Sequence, residues 1–227
     1  MDKHSHNRYL RNKDLIDQSK LKNVTVIGAG GIGSALLQNA TIMGFSPITV
    51  WDDDTLEEHN LSTTLWPQEY IGKSKVEAAF KTCSQLNDVN LIPRDVKWRT
   101  TYPLSRKVFL TPDNMEVRKA VYEQWVKLPD REFLIDMRMG ALGLEVITVT
   151  RESDYFMESW QSSSSIPDES CTAKHTIFCG SLAASFGLSQ AFNVLQNRPY
   201  YAYIWGSLSP VSFRREHLIQ NQLKQVA

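Results

Sequence analysis

The sequence has no surplus of either charge, few glycines and prolines, and three cysteines, and each shortage excludes a class of protein. Lys and Arg together number 25, against 25 Asp and Glu, so the formal net charge is zero. A broad phosphate-binding surface needs a basic surplus, so nucleic acid is not an expected partner and any phosphate chemistry must be local. Eleven glycines and nine prolines in 227 residues are too few for a low-complexity chain. Cys83, Cys171 and Cys179 form an odd set with no C-x-x-C pair. That excludes a disulfide framework and a four-thiolate structural zinc. Free thiols fit a reducing compartment, so a cytoplasmic location is expected. The polar start, MDKHSHNRYLRNKD, lacks the apolar stretch of a secretory leader. The run 176–197 carries no charge, but its Ser, Asn, Gln and Gly residues make it weakly hydrophobic for a bilayer. It reads as a buried core helix, and no membrane association is expected.

What is present is an alternation of short apolar runs and helical periodicities. An N-terminal arm over 1–20 carries a short helix at DLIDQSKL, and one domain fills 21–227. Val24, Val26 and Ile27 read as a buried strand. A glycine turn follows, and Ile32, Leu36, Leu37 and Met43 then recur at helical spacing up to Gly44. PITVWD is a second strand, expected parallel to the first. A helix is expected from near Gly72 to near Asn87, then strands at NLIPRDV and KVFLT. A helix from about Met115 to Lys127 and strands at EFLIDM and LEVITVT complete the alternation. The fold class is therefore α/β, Rossmann-like, with a mostly parallel sheet and helices on both faces. The Ser-rich stretch 159–170 reads as a mobile crossover loop. The aromatic tail after residue 199 reads as a short strand pair with a frayed end.

Gly28-Ala29-Gly30-Gly31-Ile32-Gly33 fits G-x-G-x-x-G between a predicted strand and a predicted helix. In such a turn Gly28 permits the tight bend, Gly30 lets backbone approach a phosphate, and Gly33 lets helix pack on strand. The helix N-terminus, including Gly31, offers N–H groups and positive dipole to an anion. Asp52 ends the second strand, placed to accept hydrogen bonds from a ribose, or else to cap the following loop. These features alone do not separate NAD from ATP.

The segment WDDDTLEEHNLSTTLWPQEYIGKSKVEAA resembles the signature of the ThiF/MoeB/HesA family, the adenylating domain of ubiquitin-activating enzymes. Its D-x-D is Asp52 and Asp54, its T-V-E corresponds to Thr55-Leu56-Glu57, its N-L is Asn60-Leu61, and its G-K-x-K is Gly72-Lys73-Ser74-Lys75. RYLRN at 8–12 resembles the family's basic arm, and PDNMEVR at 112–118 resembles its D-N-x-x-x-R. The resemblance runs from Arg8 to about Leu195. It implies an ATP-dependent adenylyltransferase that joins the C-terminal carboxylate of a small ubiquitin-like or sulfur-carrier-like protein to AMP. By the same resemblance Asp113 holds Mg²⁺ beside the phosphates, Lys75 neutralises phosphate charge and Asp52 holds the ribose. Asn60 and Asn114 contact nucleotide or order their loops. Arg11 reaches the phosphates of a neighbouring protomer, because the family works as dimers. The length leaves no room for a separate cysteine domain, so partners are expected to be separate chains.

One position departs from the family pattern. An Arg often stands three residues after the loop Asn, and here that residue is Thr63. A hydroxyl cannot replace a guanidinium with five donors and a fixed charge. Arg118 and Arg138 are the candidates to compensate; otherwise the chain is a non-catalytic nucleotide-binding scaffold of the same fold. An NAD-linked oxidoreductase would explain the glycine turn and Asp52 but leaves Asn60, Lys75 and Asp113 without roles. Cys171, in PDESCTAKH, stands where thioester-forming members carry a Cys, ahead of an Ala/Gly-rich helix. A thiol at a helix N-terminus is more readily thiolate. Cys83 and Cys179 read as core.

Overall fold

The computed structural model describes residues 8–165 and 176–220. One mixed sheet of eight strands runs in the order β3-β2-β1-β4-β5-β6-β7-β8. The strands are β1 (Val24–Ile27), β2 (Ile48–Trp51), β3 (Leu91–Arg94), β4 (Lys107–Leu110), β5 (Phe133–Gly140), β6 (Gly143–Val149), β7 (Tyr200–Leu208) and β8 (Val211–Ile219). Pairing is parallel from β3 through β5 and antiparallel from β5 to β8. All four residues of β1 and of β4 are buried, as central parallel strands covered on both faces must be.

The helices are α1 (Gly31–Met43), α2 (Lys75–Leu86), α3 (Met115–Trp125), α4 (Phe156–Ser159) and α5 (Ile177–Leu195). The core on the α1, α2 and α5 face includes Val26, Leu36, Val50, Phe109 and Met137. The core on the α3 and α4 face includes Ile27, Trp51, Val121, Trp125 and Phe156. Truncating a fully buried side chain such as Leu36 to Ala costs about 2–5 kcal/mol, because the lost burial adds to a cavity. α5 is long and apolar enough by length and composition to cross a membrane. Here it packs on α1 and on β5 and β6, which accounts for its lack of charge.

Local chemistry sets the boundaries. Gly44, at φ 106°, ends α1 in the left-handed conformation and returns its N–H to the Ala40 and Thr41 carbonyls. α2 starts at Lys75 rather than near Gly72. Gly72 sits at φ +81° and Ser74 is the cap, its side chain accepting from the Glu77 N–H. α3 starts where expected but stops at Trp125, two residues before the expected end. DLIDQSKL forms only a short 3-10 turn, Gln18–Lys20. The largest difference is the tail: β7 and β8 are nine residues each, a long hairpin rather than a short pair.

The chain order places a crevice. From β1 it moves outward through β2 and β3, then returns to β4 on the other side of β1. Ligands of open α/β sheets bind at such a reversal, beyond the carboxyl ends of the strands. The return from β3 to β4 uses residues 95–106 without a helix. Tyr102 from this segment stacks on Trp51 with ring centroids 4.7 Å apart, covering part of the sheet itself.

Candidate active site

The glycine turn closes the carboxyl end of β1 at that reversal. Gly28 is at φ +100°, and a side chain there would lie 2.7 Å from the Thr111 carbonyl carbon, so β1 and the residues after β4 meet backbone to backbone. Gly33 is equally tight: a Cβ would lie 2.3 Å from the Gly28 oxygen. Gly30 is open, with nothing within 4 Å of a Cβ. The turn is thus rigid at both ends and exposed in the middle. Gly30 is the N-cap of α1 and supplies no side-chain hydrogen bond, so the first helical N–H groups are offered outward. Two side chains lock the cradle from behind. The Trp66 indole donates to the Ala29 carbonyl at 2.7 Å, and the Thr111 hydroxyl donates to the Ile27 and Gly28 carbonyls at 3.0 and 2.8 Å. Neither stood out in the sequence, since a Trp and a Thr in loops carry no spacing signal.

Asp52 is fixed by backbone on both oxygens. It accepts from the Ala29 N–H at 2.6 Å and from the Asp54 N–H at 2.9 Å. Burial pushes its carboxyl above the ordinary Asp range, opposed by Lys75 and by those two N–H groups. Lys75 is buried at the first turn of α2, with its ammonium 2.6 Å from the Asp54 carboxylate. Asp54 therefore engages Lys75, and the pair stands beside Asp52 at the same end of the sheet. Asn60 accepts from the Glu57 N–H at 2.9 Å and closes the loop 57–63 as a capping box. Asn114 likewise caps α3, accepting from the Val117 N–H at 2.8 Å. Of the two roles expected for these asparagines, both side-chain oxygens take the loop-ordering one. Asp113, between β4 and α3, is exposed and accepts no hydrogen bond among the described residues.

The glycine turn, Asp52, Asp54, Lys75 and Asp113 thus converge on one end of the sheet. Arg11 does not. Arg8 donates to the Leu86 carbonyl at 2.7 Å and Tyr9 meets Asn87 at 2.7 Å, so the arm lies at the far ends of α1 and α2. Arg11 is exposed there. Cys171, with the second half of the Ser-rich stretch, lies outside the described residues. The first half is bonded: Ser163 donates through its hydroxyl and its N–H to Glu116, and the Trp160 indole donates to the Met115 carbonyl at 3.0 Å. These contacts hold Glu116 below the usual carboxylate range, Ser163 contributing most. Cys83 and Cys179 are free and buried, and burial raises both thiols.

The arginines expected to compensate for Thr63 are otherwise engaged. Met137 and Met139 of β5 point toward α1 and α5, so Asp136 and Arg138 point to the opposite face. There Arg118 and Arg138 both bond to the buried carboxylate of Asp136. Thr63 lies beside α1, its carbonyl 3.1 Å from where a Gly31 side chain would be. Its hydroxyl only returns to the Asn60 carbonyl, at 3.1 Å. A separate cavity of about 660 Å³ opens below, lined by Thr25, Thr49, Trp51, Arg94, Tyr102 and Ser105. It adjoins the site through Asp52, whose N–H donates to the Arg94 carbonyl at 3.3 Å.

Comparison with solved structures gives the same fold. Escherichia coli MccB solved with ATP superposes with a TM-score of 0.76 at 16% identity, covering 98% of this chain and 75% of that one. PaaA superposes at 0.75 with 17% identity, covering 96% and 75%. Among characterised sequences, the NEDD8-activating enzyme E1 catalytic subunit of Caenorhabditis elegans is 46% identical over 57 residues, 25% of this chain and 13% of that protein. SUMO-activating enzyme subunit 2 of Dictyostelium discoideum is 32% identical over 88 residues, 38% and 13% respectively. The matches span less than a fifth of those longer relatives. The ThiF family pattern matches residues 5–197, from the arm through the glycine turn, Lys75 and Asp113 to the end of α5, and the chain belongs to the ThiF family.

Proposed function

We propose that this chain is an ATP-dependent adenylyltransferase that activates the C-terminal carboxylate of a small ubiquitin-like or sulfur-carrier-like protein. The observation that carries the reading is the convergence of an open phosphate cradle at Gly30, a backbone-fixed acid at Asp52 and a buried cation at Lys75. The reactants need little covalent help from protein in such a transfer; positioning and charge stabilisation do most of the work. The α1 N-terminus and Lys75 would hold the phosphates, and Asp52 the ribose. A carboxylate oxygen of the partner attacks the α-phosphorus, the bond to the bridging oxygen breaks, and pyrophosphate leaves with the electron pair. The product is an acyl adenylate.

The donor set suits Mg²⁺. One exposed carboxylate, Asp113, beside a phosphate cradle is how that ion is commonly held, with water and phosphate completing the shell. Bound there, it would neutralise charge developing on the phosphates. If Cys171 acts next, its thiolate attacks the acyl carbon, AMP leaves and a thioester forms. Arg11, placed away from its own site, fits a role at the site of a second copy, and a homodimer is part of this reading.

The test is a thermal shift with Mg-ATP, Mg-AMP and NAD side by side, on wild type and Asp113→Ala, with AMP-forming turnover followed separately. A shift with Mg-ATP that weakens in the variant supports the site. A shift with NAD alone would falsify it. Thr63 and the engagement of Arg118 and Arg138 favour one second reading, a scaffold that binds nucleotide without turnover. It predicts the ATP shift with no acyl adenylate formed on any carrier protein.

A further inference from the structure

Two guanidiniums share one fully buried carboxylate beside the turn that carries Asp113. Arg118 of α3 donates through Nη1 to Asp136 Oδ1 and to the Met137 carbonyl, and through Nη2 to the Pro112 carbonyl. Arg138 donates through Nε to Asp136 Oδ2 at 2.8 Å and through Nη1 to the Ser159 carbonyl at 2.8 Å. Asp136 thus sits at the centre of a knot that ties three places together. They are the residue just before Asp113, the carboxyl half of β5 and Ser159 at the end of α4. A charged residue is rare in a buried parallel strand, and burying three charges is costly unless their geometry is used. Burial pulls the Arg118 guanidinium below its ordinary value, and Asp136 is the chief group that opposes this.

The Pro112 contact gives the knot its consequence. Asp113 itself has no bond to fix it among the described residues, and its neighbour Asn114 is held only through the α3 cap. The position of the Asp113 carboxylate therefore depends on the backbone on either side. On the β4 side that backbone is pinned by Arg118, and Arg118 is aimed by Asp136. We propose that Asp136 is a positioning residue, which sets the metal-binding carboxylate Asp113 through the Arg118 guanidinium and the Pro112 carbonyl. This rests on the reading of Asp113 as the Mg²⁺ carboxylate. It also separates the two family-pattern residues by role: Asp113 meets the ion, whereas Arg118 acts on the main chain beneath it.

The test uses the full chain with Mn²⁺ and ATP. Free Mn²⁺ is followed by electron paramagnetic resonance, and ATP affinity is measured in parallel in EDTA. Asp136→Asn should weaken Mn²⁺ in the ATP complex about tenfold or more, as loss of a supporting partner around a metal ligand does. Its metal-free ATP affinity should stay within about twofold, because Gly30, Asp52 and Lys75 lie on other elements. In an Asp113→Ala background, Asp136→Asn should have no further effect on Mn²⁺. Arg118→Lys keeps the charge and loses the planar fork that spans Asp136 and Pro112, so it should loosen Mn²⁺ similarly and serves if Asp136→Asn does not fold. Equal losses with and without metal, or equal losses in both backgrounds, would mean a general packing role and overturn the proposal. Wild-type Mn²⁺ affinity in both variants overturns it too. If wild-type protein forms no Mn²⁺–ATP complex that Asp113→Ala weakens, the proposed function itself fails.

Discussion

Two alanine substitutions three residues apart separate the scaffold of the glycine turn from its ligand surface. At Gly33 a methyl would lie 2.3 Å from the Gly28 oxygen and 2.9 Å from its carbonyl carbon. Both are backbone, so α1 must move by about 1 Å away from the turn. Overpacking of this kind costs about 1–3 kcal/mol, offset by about 1 kcal/mol because Ala is the better helix former. A net loss of up to about 2 kcal/mol corresponds to a fall in Tm of up to roughly 8 °C for a chain of this size. At Gly30 a methyl meets nothing within 4 Å, and stability should change by less than about 0.5 kcal/mol. That methyl occupies the space assigned to a phosphate. ATP at 100 times its dissociation constant stabilises by about 2.7 kcal/mol, and a hundredfold loss of affinity reduces this to about 0.4 kcal/mol. Differential scanning fluorimetry with and without Mg-ATP reads both effects. Gly30→Ala should melt like wild type alone and lose nearly all of the ATP shift. Gly33→Ala should melt lower with or without nucleotide. A Gly30→Ala protein that keeps its full ATP shift refutes the assignment of the phosphate to this cradle.

Three further outcomes follow from the same geometry. Glu116→Ala removes the acceptor for the Ser163 N–H and hydroxyl, so amide exchange at Ser163 and Met115 should rise about tenfold; unchanged protection would show that Trp160 alone docks the segment. Thr63→Arg places a guanidinium beside the α1 N-terminus, where the family pattern has one, and should raise AMP-forming turnover at least tenfold; no change would show that the missing Arg is not the limiting part. Burial raises Asp52, so in the folded protein it takes up its proton at a higher pH than in the unfolded chain. Protonation then favours the folded state, and as pH falls through that window the Tm of wild type should rise relative to Asp52→Asn, while ATP affinity falls. Parallel trends in Tm and affinity would contradict the ribose role.

The half of the fold that carries the site was legible because its signals are local and periodic. The turn at 28–33, the strands on either side and the cap at Gly44 each announce themselves within a few residues. The hairpin of β7 and β8 did not. All of β8 but its last residue, Ile219, is exposed, and its Arg214, Arg215, Glu216 and His217 read as a polar end, because a solvated edge strand has no buried face to impose alternation. The site residues divided similarly. Asp52 and Lys75 lie at the ends of regular elements, so their convergence follows from topology. The Asn60 and Asn114 side chains turned inward to cap their own loops, and nothing in their spacing distinguishes a cap from a ligand contact. Asp136 did carry a signal, a carboxylate inside the apolar run FLIDM. Its partners come from a strand position two residues on and a helix eighteen residues back, which only the folded chain brings together.

The close packing of α5 on the glycine turn couples the two helices that meet there. Gly180, in the first turn of α5, has no side chain to separate it from Gly31; a Cβ there would lie 3.1 Å from the Gly31 oxygen. Thr176, the cap of that helix, donates its hydroxyl to the Ala141 carbonyl at 3.3 Å. The amino end of α5 is therefore moored against the start of the phosphate cradle. A side chain at Gly180 would press on the Gly31 carbonyl, so a substitution on α5 reaches the glycine turn through backbone alone.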